Sequence, residues 1–292
     1  AKKDFSGHLE MLKVFSKMFG EYPFVKEKYG IAEFLWYAGA MEHQTITGVS
    51  SNMIGGNKFF EDTFVHELAH QWWGNAVGPK SWKDIWMNEG FSTYSEALYY
   101  EAVSGKEALQ STMMSKYSSN FSGSLAEPGP FLFTRTMYDK GAWVLHMLRW
   151  EVGDSSFFNI LRTYYETYKY LNASTGDFKS VCEKVSGKNL DQFLEQWIYA
   201  EGQIELEYKT ETVKSQNEYL NRIQLGQIQE DYEEYHFPLE VKFIFKDSTE
   251  KSIRYEITSK ETLIEISTSD MPKDIIMDPD NWLLAVINLK DE

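Results

Sequence analysis

Along roughly the first two thirds of the chain apolar residues recur every three or four positions, and along the last third they alternate. Leu9, Leu12, Phe15 and Met18 mark an amphipathic helix that Gly20 and Pro23 bring to an end. Ile31-Ala32-Glu33-Phe34-Leu35-Trp36-Tyr37 reads as a strand. Phe60, Phe64, Leu68 and Trp72 then step by four, with Val65, Ala69 and Trp73 beside them. This predicts a helix over about 59–75 that is apolar on most of its surface and therefore buried. Helical periodicity continues over about 84–102, closing at Gly105, and over about 106–120, 136–151, 155–169, 175–185 and 189–199. Glu127-Pro128-Gly129-Pro130 interrupts this half as a loop.

After Gly202 the period changes to two. Ile204, Leu206 and Tyr208 alternate, as do Leu239, Val241, Phe243 and Phe245, then Ile253, Tyr255 and Ile257. Leu263, Ile264 and Ile266, and finally Leu283, Leu284, Val286 and Ile287, complete a set of short strands. The spacing predicts a β-sandwich of about ninety residues. The acidic run Glu230 to Glu234 reads as a solvated turn without a function. The expected class is α+β, with a mainly helical domain over 1–202 and a small all-β sandwich over 203–292.

The buried helix over about 59–75 carries charge where it can least be tolerated. His66-Glu67-Leu68-Ala69-His70 places two histidines four apart, on one helix face and about a turn from each other. That spacing lets both imidazoles reach one Zn²⁺. Eighteen residues separate His70 from Glu89, enough for this helix to end and a second to return. Glu89, within Trp86-Met87-Asn88-Glu89-Gly90-Phe91, supplies a third ligand. A set of two histidines and a glutamate leaves one coordination position for water, as in catalytic rather than structural zinc sites. Glu67 stands beside the first ligand as the general base for that water. The pattern predicts a metallohydrolase.

Composition narrows the picture. The 292 residues, 42% hydrophobic and 16% aromatic, suffice for a large core and two domains. A net charge of −15 argues against nucleic acid or an anionic membrane surface as the principal partner. Cys182 is the one cysteine, so no internal disulfide forms and the redox compartment stays open. No apolar run reaches the length of a membrane span and no targeting segment is visible, which leaves localisation undecided. A chain that starts at Ala1 reads as a processed or excised piece.

Three signatures in order give a resemblance. His66-Glu67-Leu68-Ala69-His70-Gln71-Trp72-Trp73-Gly74-Asn75 resembles the zinc helix of the M1 family of zinc aminopeptidases, gluzincins that include leukotriene A4 hydrolase. Gly39-Ala40-Met41-Glu42-His43 resembles the family's Gly-x-Met-Glu-Asn segment, and Tyr138-Asp139-Lys140-Gly141 its tyrosine shortly before Lys-Gly. The resemblance implies a thermolysin-like catalytic domain over 1–202, followed by the β-sandwich. It implies one Zn²⁺ per chain and hydrolysis of the N-terminal peptide bond of a peptide substrate with a free N-terminus. It also implies roles. Tyr138 donates to the developing oxyanion, Glu96 orients a ligating histidine, and Glu42 pairs with the substrate's α-amino group while Gly39, Ala40 and Met41 line its backbone.

Two departures stand out. His43 replaces the usual Asn, with an expected effect on pH dependence or on contacts to the substrate backbone, and it is not expected to ligate metal. The N-terminal β-domain of M1 enzymes, and the C-terminal helical domain many of them carry, are expected to be missing from this segment, which alone is expected to bind zinc but turn over poorly. Two rival readings remain open: a thermolysin-like endopeptidase, which needs no amine anchor, and a non-catalytic binding module on the same scaffold. Oligomeric state and the preferred N-terminal residue have no signal in the sequence.

Overall fold

A computed structural model describes residues 1–290, and contacts divide the chain into two compact units. The first comprises Ala1–Tyr117 and Ser124–Leu190; the second comprises Ser118–Gly123 and the chain from Asp191 onward. Both helices and sheets are present, as expected for an α+β protein.

The first unit opens with α1 (His8–Phe19), whose buried side chains are His8, Met11, Phe15 and Phe19. The helix is where the sequence predicts it and Phe15 is buried as expected, but Leu9 is 74% exposed, and His8, Met11 and Phe19 pack inward in place of Leu9, Leu12 and Met18. Strands β1 (Gly30–Phe34), β2 (Ala40–Met41) and β3 (Ile46–Ser50) form a sheet in the order β1-β3-β2, with β1 parallel and β2 antiparallel to β3. The expected strand stops at Phe34; Leu35 and Tyr37 are fully exposed in the link to β2. Gly48 lets the sheet close, since a Cβ there would lie 2.2 Å from the Phe34 ring.

Next come α2 (Glu61–Ala69), β4 (Val77–Pro79), α3 (Ile85–Ser104) and α4 (Lys106–Ser115). A π-turn over Thr136–Lys140 runs into α5 (Gly141–Val152), which precedes α6 (Asp154–Tyr168), β5 (Leu171–Ala173) and α7 (Thr175–Ser186). Helix α3 is the axis of this unit. Every residue from Ile85 to Tyr99 is buried, so α3 is enclosed on all sides, with α2, α4 and α5 among its neighbours. Its start is fixed by Asp84, whose Oδ1 accepts from the backbone N–H and the hydroxyl of Thr175, at 2.8 and 3.1 Å. Helix α2 ends six residues earlier than the periodicity predicts. Trp72 and Trp73 still bury their rings, but from a tight turn in which both N–H groups donate to the Ala69 carbonyl.

In the second unit α8 (Asp191–Leu194) passes into a π-turn over Glu195–Tyr199. Strands β6 (Ile204–Ser215), β7 (Glu218–Gln227), β8 (Phe237–Ile244), β9 (Glu250–Ile257), β10 (Glu261–Thr268), β11 (Asp274–Met277) and β12 (Ala285–Leu289) follow. They make two sheets, ordered β10-β7-β6-β12 and β11-β8-β9, antiparallel except for β12 beside β6. Strands β7 and β11 escape the sequence reading. The buried side chains of β7 are Asn221, Ile223, Leu225 and Gln227, so polar residues stand at two of its four inward positions. They are tolerated because they are bonded: the Asn221 amide donates to Thr268 Oγ1 at 2.9 Å, and Gln227 exchanges two 2.8 Å bonds with the Tyr235 backbone. The acidic run Glu230 to Glu234 lies in the loop between β7 and β8.

Candidate active site

The buried face of α2 meets α3 at a cluster of charged side chains. His66 and His70 project from α2 and its last turn, and Glu89 comes from the first turns of α3. His66 Nε2 and His70 Nε2 lie 3.0 Å apart, and Glu89 Oε2 is 3.5 Å from the first and 3.4 Å from the second. Among the described residues this is the one group of three or more His, Cys, Asp or Glu side chains whose ligand atoms converge within 4.8 Å.

The other ring nitrogens decide which atoms are free. His66 Nδ1 is 2.9 Å from Glu96 Oε1, and His70 Nδ1 is 2.9 Å from both the Trp73 carbonyl and Ser92 Oγ. An Nδ1–H on each ring satisfies these acceptors and leaves both Nε2 lone pairs facing each other and Glu89. Two lone pairs and a carboxylate at this separation repel unless a cation lies among them. The surrounding carboxylates also favour positive charge at this point, whether from a metal ion or from protons on the two rings. Burial alone would make both imidazoles less basic, yet Glu89 and Glu96 around His66, and Glu89 beside His70, hold both pKa values above the ordinary histidine value. Burial opposes ionisation of Glu89 too, but the two histidines bring its pKa down. Nitrogen and carboxylate donors, three in number, buried and converging, fit Zn²⁺.

Around this triad the remaining residues fall into place. Glu67 is 7% exposed, and its Oε2 has no hydrogen-bond partner among the described residues. Burial raises its pKa to about 7; the histidines pull it down, while Glu42 and Glu89 push it up. Tyr138 stacks on His66 at 5.9 Å between ring centroids. Burial first, then the charges of Glu89, Glu42 and Glu67, push its phenol pKa well up, so its hydroxyl keeps its proton. The π-turn that carries Tyr138 is the kind of local widening often found where a helix must aim one side chain. Glu42 leaves the end of β2 and lines the same cleft, of about 640 Å³, with Ala40, Met41, His66, Glu67, His70, Glu89, Glu96 and Tyr138. Gly39 precedes this lining at a φ of 90°, a conformation suited to glycine.

Residues that the sequence left without a role hold these in register. Asn75 Nδ2 donates to the Glu42 carbonyl at 2.6 Å, and Gln71 Nε2 to the His43 carbonyl at 3.3 Å. Gln71 Oε1 accepts from Thr45 N at 2.9 Å. The segment after β2 is thus hydrogen-bonded to the residues that close α2. His43 contributes its backbone here while its ring packs against Phe34 and Trp36. Asn88 Nδ2 steadies Glu89 Oε1 at 3.1 Å. Gly74 makes room for it: its φ is 120°, and a Cβ would fall 2.0 Å from Asn88 Oδ1. Lys116, from the end of α4, reaches Glu96 Oε2 at 2.7 Å. None of these side chains has a signal in hydrophobic periodicity, although Gln71, Gly74, Asn75 and Asn88 lie inside the motifs.

The profile described as the peptidase family M1 domain matches residues 4–197. The chain belongs to peptidase family M1. Similar proteins include a probable aminopeptidase 2 of Sulfurisphaera tokodaii, 30% identical over 181 residues that cover 57% of this chain and 23% of that protein. Aminopeptidase B of Mus musculus is 30% identical over 200 residues, 61% of this chain and 30% of the relative. This chain therefore spans less than a third of the length of either. Among solved structures, an M1 zinc metallopeptidase of Deinococcus radiodurans superposes with a TM-score of 0.57 at 32% identity, covering 65% of this chain and 43% of its own. Aminopeptidase A of Legionella pneumophila, at 15% identity and a TM-score of 0.80, covers 99% of this chain and 35% of its own, and shows likeness of fold. Zinc is the metal of the M1 metallopeptidases that this chain resembles, in agreement with the donor set above. Among the described residues no helix is long and apolar enough to cross a membrane.

Proposed function

We propose that this chain is the catalytic region of a zinc-dependent aminopeptidase, which hydrolyses the N-terminal peptide bond of peptides with a free amino terminus. The observation that carries the reading is the meeting, in one cleft, of the ligand triad with two further carboxylates on different elements, Glu67 and Glu42. In this reading residues 1–202 are a thermolysin-like domain and 203–292 a β-sandwich, supported by two sheets whose strands bury alternate side chains.

His66, His70 and Glu89 would hold the zinc, which when bound supplies a Lewis acid that acidifies water and polarises a carbonyl. Glu67, with an oxygen left free, accepts the proton of the attacking water and returns it to the leaving amine. Tyr138 keeps its proton and donates its hydroxyl to the carbonyl oxygen as negative charge develops there. Glu42 pairs with the substrate ammonium, so cleavage is counted from the free end of the peptide. Strand β2 is at the edge of its sheet, which lets the backbone of Gly39, Ala40 and Met41 run beside the peptide. Glu96 fixes the His66 ring by accepting its Nδ1–H. Relatives named as aminopeptidases support this assignment over that of an endopeptidase.

A panel of aminoacyl fluorogenic substrates, assayed with wild type and Glu67→Ala, tests the reading. The mutant is expected to retain one zinc and lose nearly all activity; unchanged activity would remove Glu67 as the base. Efficient cleavage of an N-acetylated peptide alongside its free-amine twin would overturn the exopeptidase assignment.

A further inference from the structure

Lys116 lies outside every motif, yet its side chain is only 15% exposed and it is the one cationic residue among those lining the cleft, with Glu42, Asp62, Glu67, Glu89 and Glu96 on the same walls. An ammonium group beside a site built for a metal cation is electrostatically adverse. Its bonding explains its presence. Its Nζ is 2.7 Å from Glu96 Oε2, and the other oxygen of that carboxylate is 2.9 Å from His66 Nδ1. Lys116, Glu96 and His66 thus form a chain from the end of α4, through α3, to the first ligand on α2.

We propose that Lys116 is a positioning residue of the metal site, acting through Glu96 on His66. A carboxylate bonded at one oxygen can swing about its side-chain torsions and present either oxygen to the imidazole. Pinned at Oε2, it keeps Oε1 in line with Nδ1, which holds the proton there and aims the Nε2 lone pair at His70 and Glu89. Glu96 is also only 8% exposed, and a buried carboxylate stripped of its cation is strongly unfavourable. The same ammonium bears on Asp139, the residue after Tyr138, whose carboxylate is bonded by Arg135 at 2.8 Å. One charge therefore steadies the carboxylate behind a ligand and acts on the turn that carries Tyr138.

The proposal rests on the assignment of His66, His70 and Glu89 as zinc ligands, and its test separates the two. Zinc affinity is measured by competition with a chromophoric chelator, and the visible spectrum is recorded with Co²⁺ in place of zinc, for wild type, Lys116→Met, Lys116→Arg, Glu96→Gln and the Lys116→Met/Glu96→Gln double variant. Lys116→Met is expected to weaken zinc binding about tenfold or more and to alter the Co²⁺ bands, as loss of a partner behind a ligand does. Lys116→Arg is expected to restore both, and the double variant to be no weaker than Glu96→Gln alone. A folded Lys116→Met variant that binds zinc as tightly as wild type overturns the proposal. So does tighter binding, the result expected if Lys116 only repels the metal. If Lys116→Met fails to fold, Lys116→Gln, which keeps a donor without the charge, takes its place under the same criteria. A wild-type protein that binds no zinc would overturn the ligand assignment itself.

Discussion

Gly90 and Gly141 set the distance between the helix that carries Glu89 and the turn that carries Tyr138. A Cβ built on Gly90 would lie 2.8 Å from the carbonyl carbon of Gly141 and 2.9 Å from its Cα. Both obstacles are backbone, so no rotamer change relieves them. Ordinary contact begins near 3.4 Å, so Gly90→Ala must part α3 from the start of α5 by about 0.6 Å (3.4 − 2.8). Overpacking of this kind costs about 1–3 kcal/mol. The better helix propensity of alanine returns up to about 1 kcal/mol. A net loss of about 0–2 kcal/mol lowers Tm by at most a few degrees in a protein of this size. Activity should suffer far more. Glu89 adjoins Gly90 and Tyr138 is three residues before Gly141, so the parting acts directly on two groups of the site, and misplacement by about 1 Å can cost about a hundredfold in rate. We expect Gly90→Ala to lower kcat at least about tenfold, with zinc still bound. Gly141→Ala meets Gly90 Cα at 3.0 Å and nothing else closer than 3.5 Å, so its effect should be milder. Calorimetry and kcat on a free-amine substrate make the comparison. A Gly90→Ala enzyme with wild-type Tm and kcat, or one less impaired than Gly141→Ala, refutes the argument.

Two further outcomes follow from the geometry. Asn75→Ala removes the 2.6 Å bond to the Glu42 carbonyl and should raise KM for free-amine substrates by roughly threefold to tenfold, the equivalent of one net hydrogen bond, while kcat changes little; an effect confined to kcat would place Asn75 elsewhere in the reaction. Asp278 is buried, which raises its carboxyl pKa to about 6 despite bonds from the N–H groups of Trp282 and Leu283, with Asp280 and Glu240 adding to the rise. The folded protein then holds this proton more tightly than the unfolded chain, so the stability it contributes is complete below about pH 4 and is lost as pH rises through about 6. In urea titrations the stability of wild type relative to Asp278→Asn should decline across that interval; a difference that grows with pH contradicts the burial argument.

What was legible in the sequence was local. The spacing of His66 and His70 is a property of one helix turn, and α3 announces itself by a long periodic run that closes at Gly105. Hydrophobic pattern failed where burial was polar or two-sided. Strand β7 turns Asn221 and Gln227 inward, where their amides are bonded, so its alternation is invisible as apolar against polar. Strand β3 buries Thr47, Gly48, Val49 and Ser50 in succession and therefore shows no period at all. The end of α2 was misplaced because Trp72 and Trp73 continue its apolar stripe while their backbone has already left the helix.

The site was legible to the same extent and for the same reason. Two ligands of the triad follow from helix geometry, but Glu42, Glu96 and Tyr138 are assigned from sequence only by resemblance, since nothing in their own neighbourhoods brings them to the metal. The folded chain gathers them into one cleft with the triad, and pairs distant in sequence hold two of them: Asn75 holds Glu42 across 33 positions, His66 meets Glu96 across 30, and Lys116 meets Glu96 across 20. Such partners cost nothing in helix or strand propensity and leave no periodic trace, so Lys116 is one of 29 Lys and Arg residues until the fold is known. Yet they govern orientation. A ligand triad alone can gather a cation, but its donors are aimed only when Glu96, the Trp73 carbonyl and Asn88 hold His66, His70 and Glu89 from behind. Motif residues such as Gln71, Gly74 and Gly90 are thus best understood as the spacing and bonding that let separate elements converge on the same few ångströms.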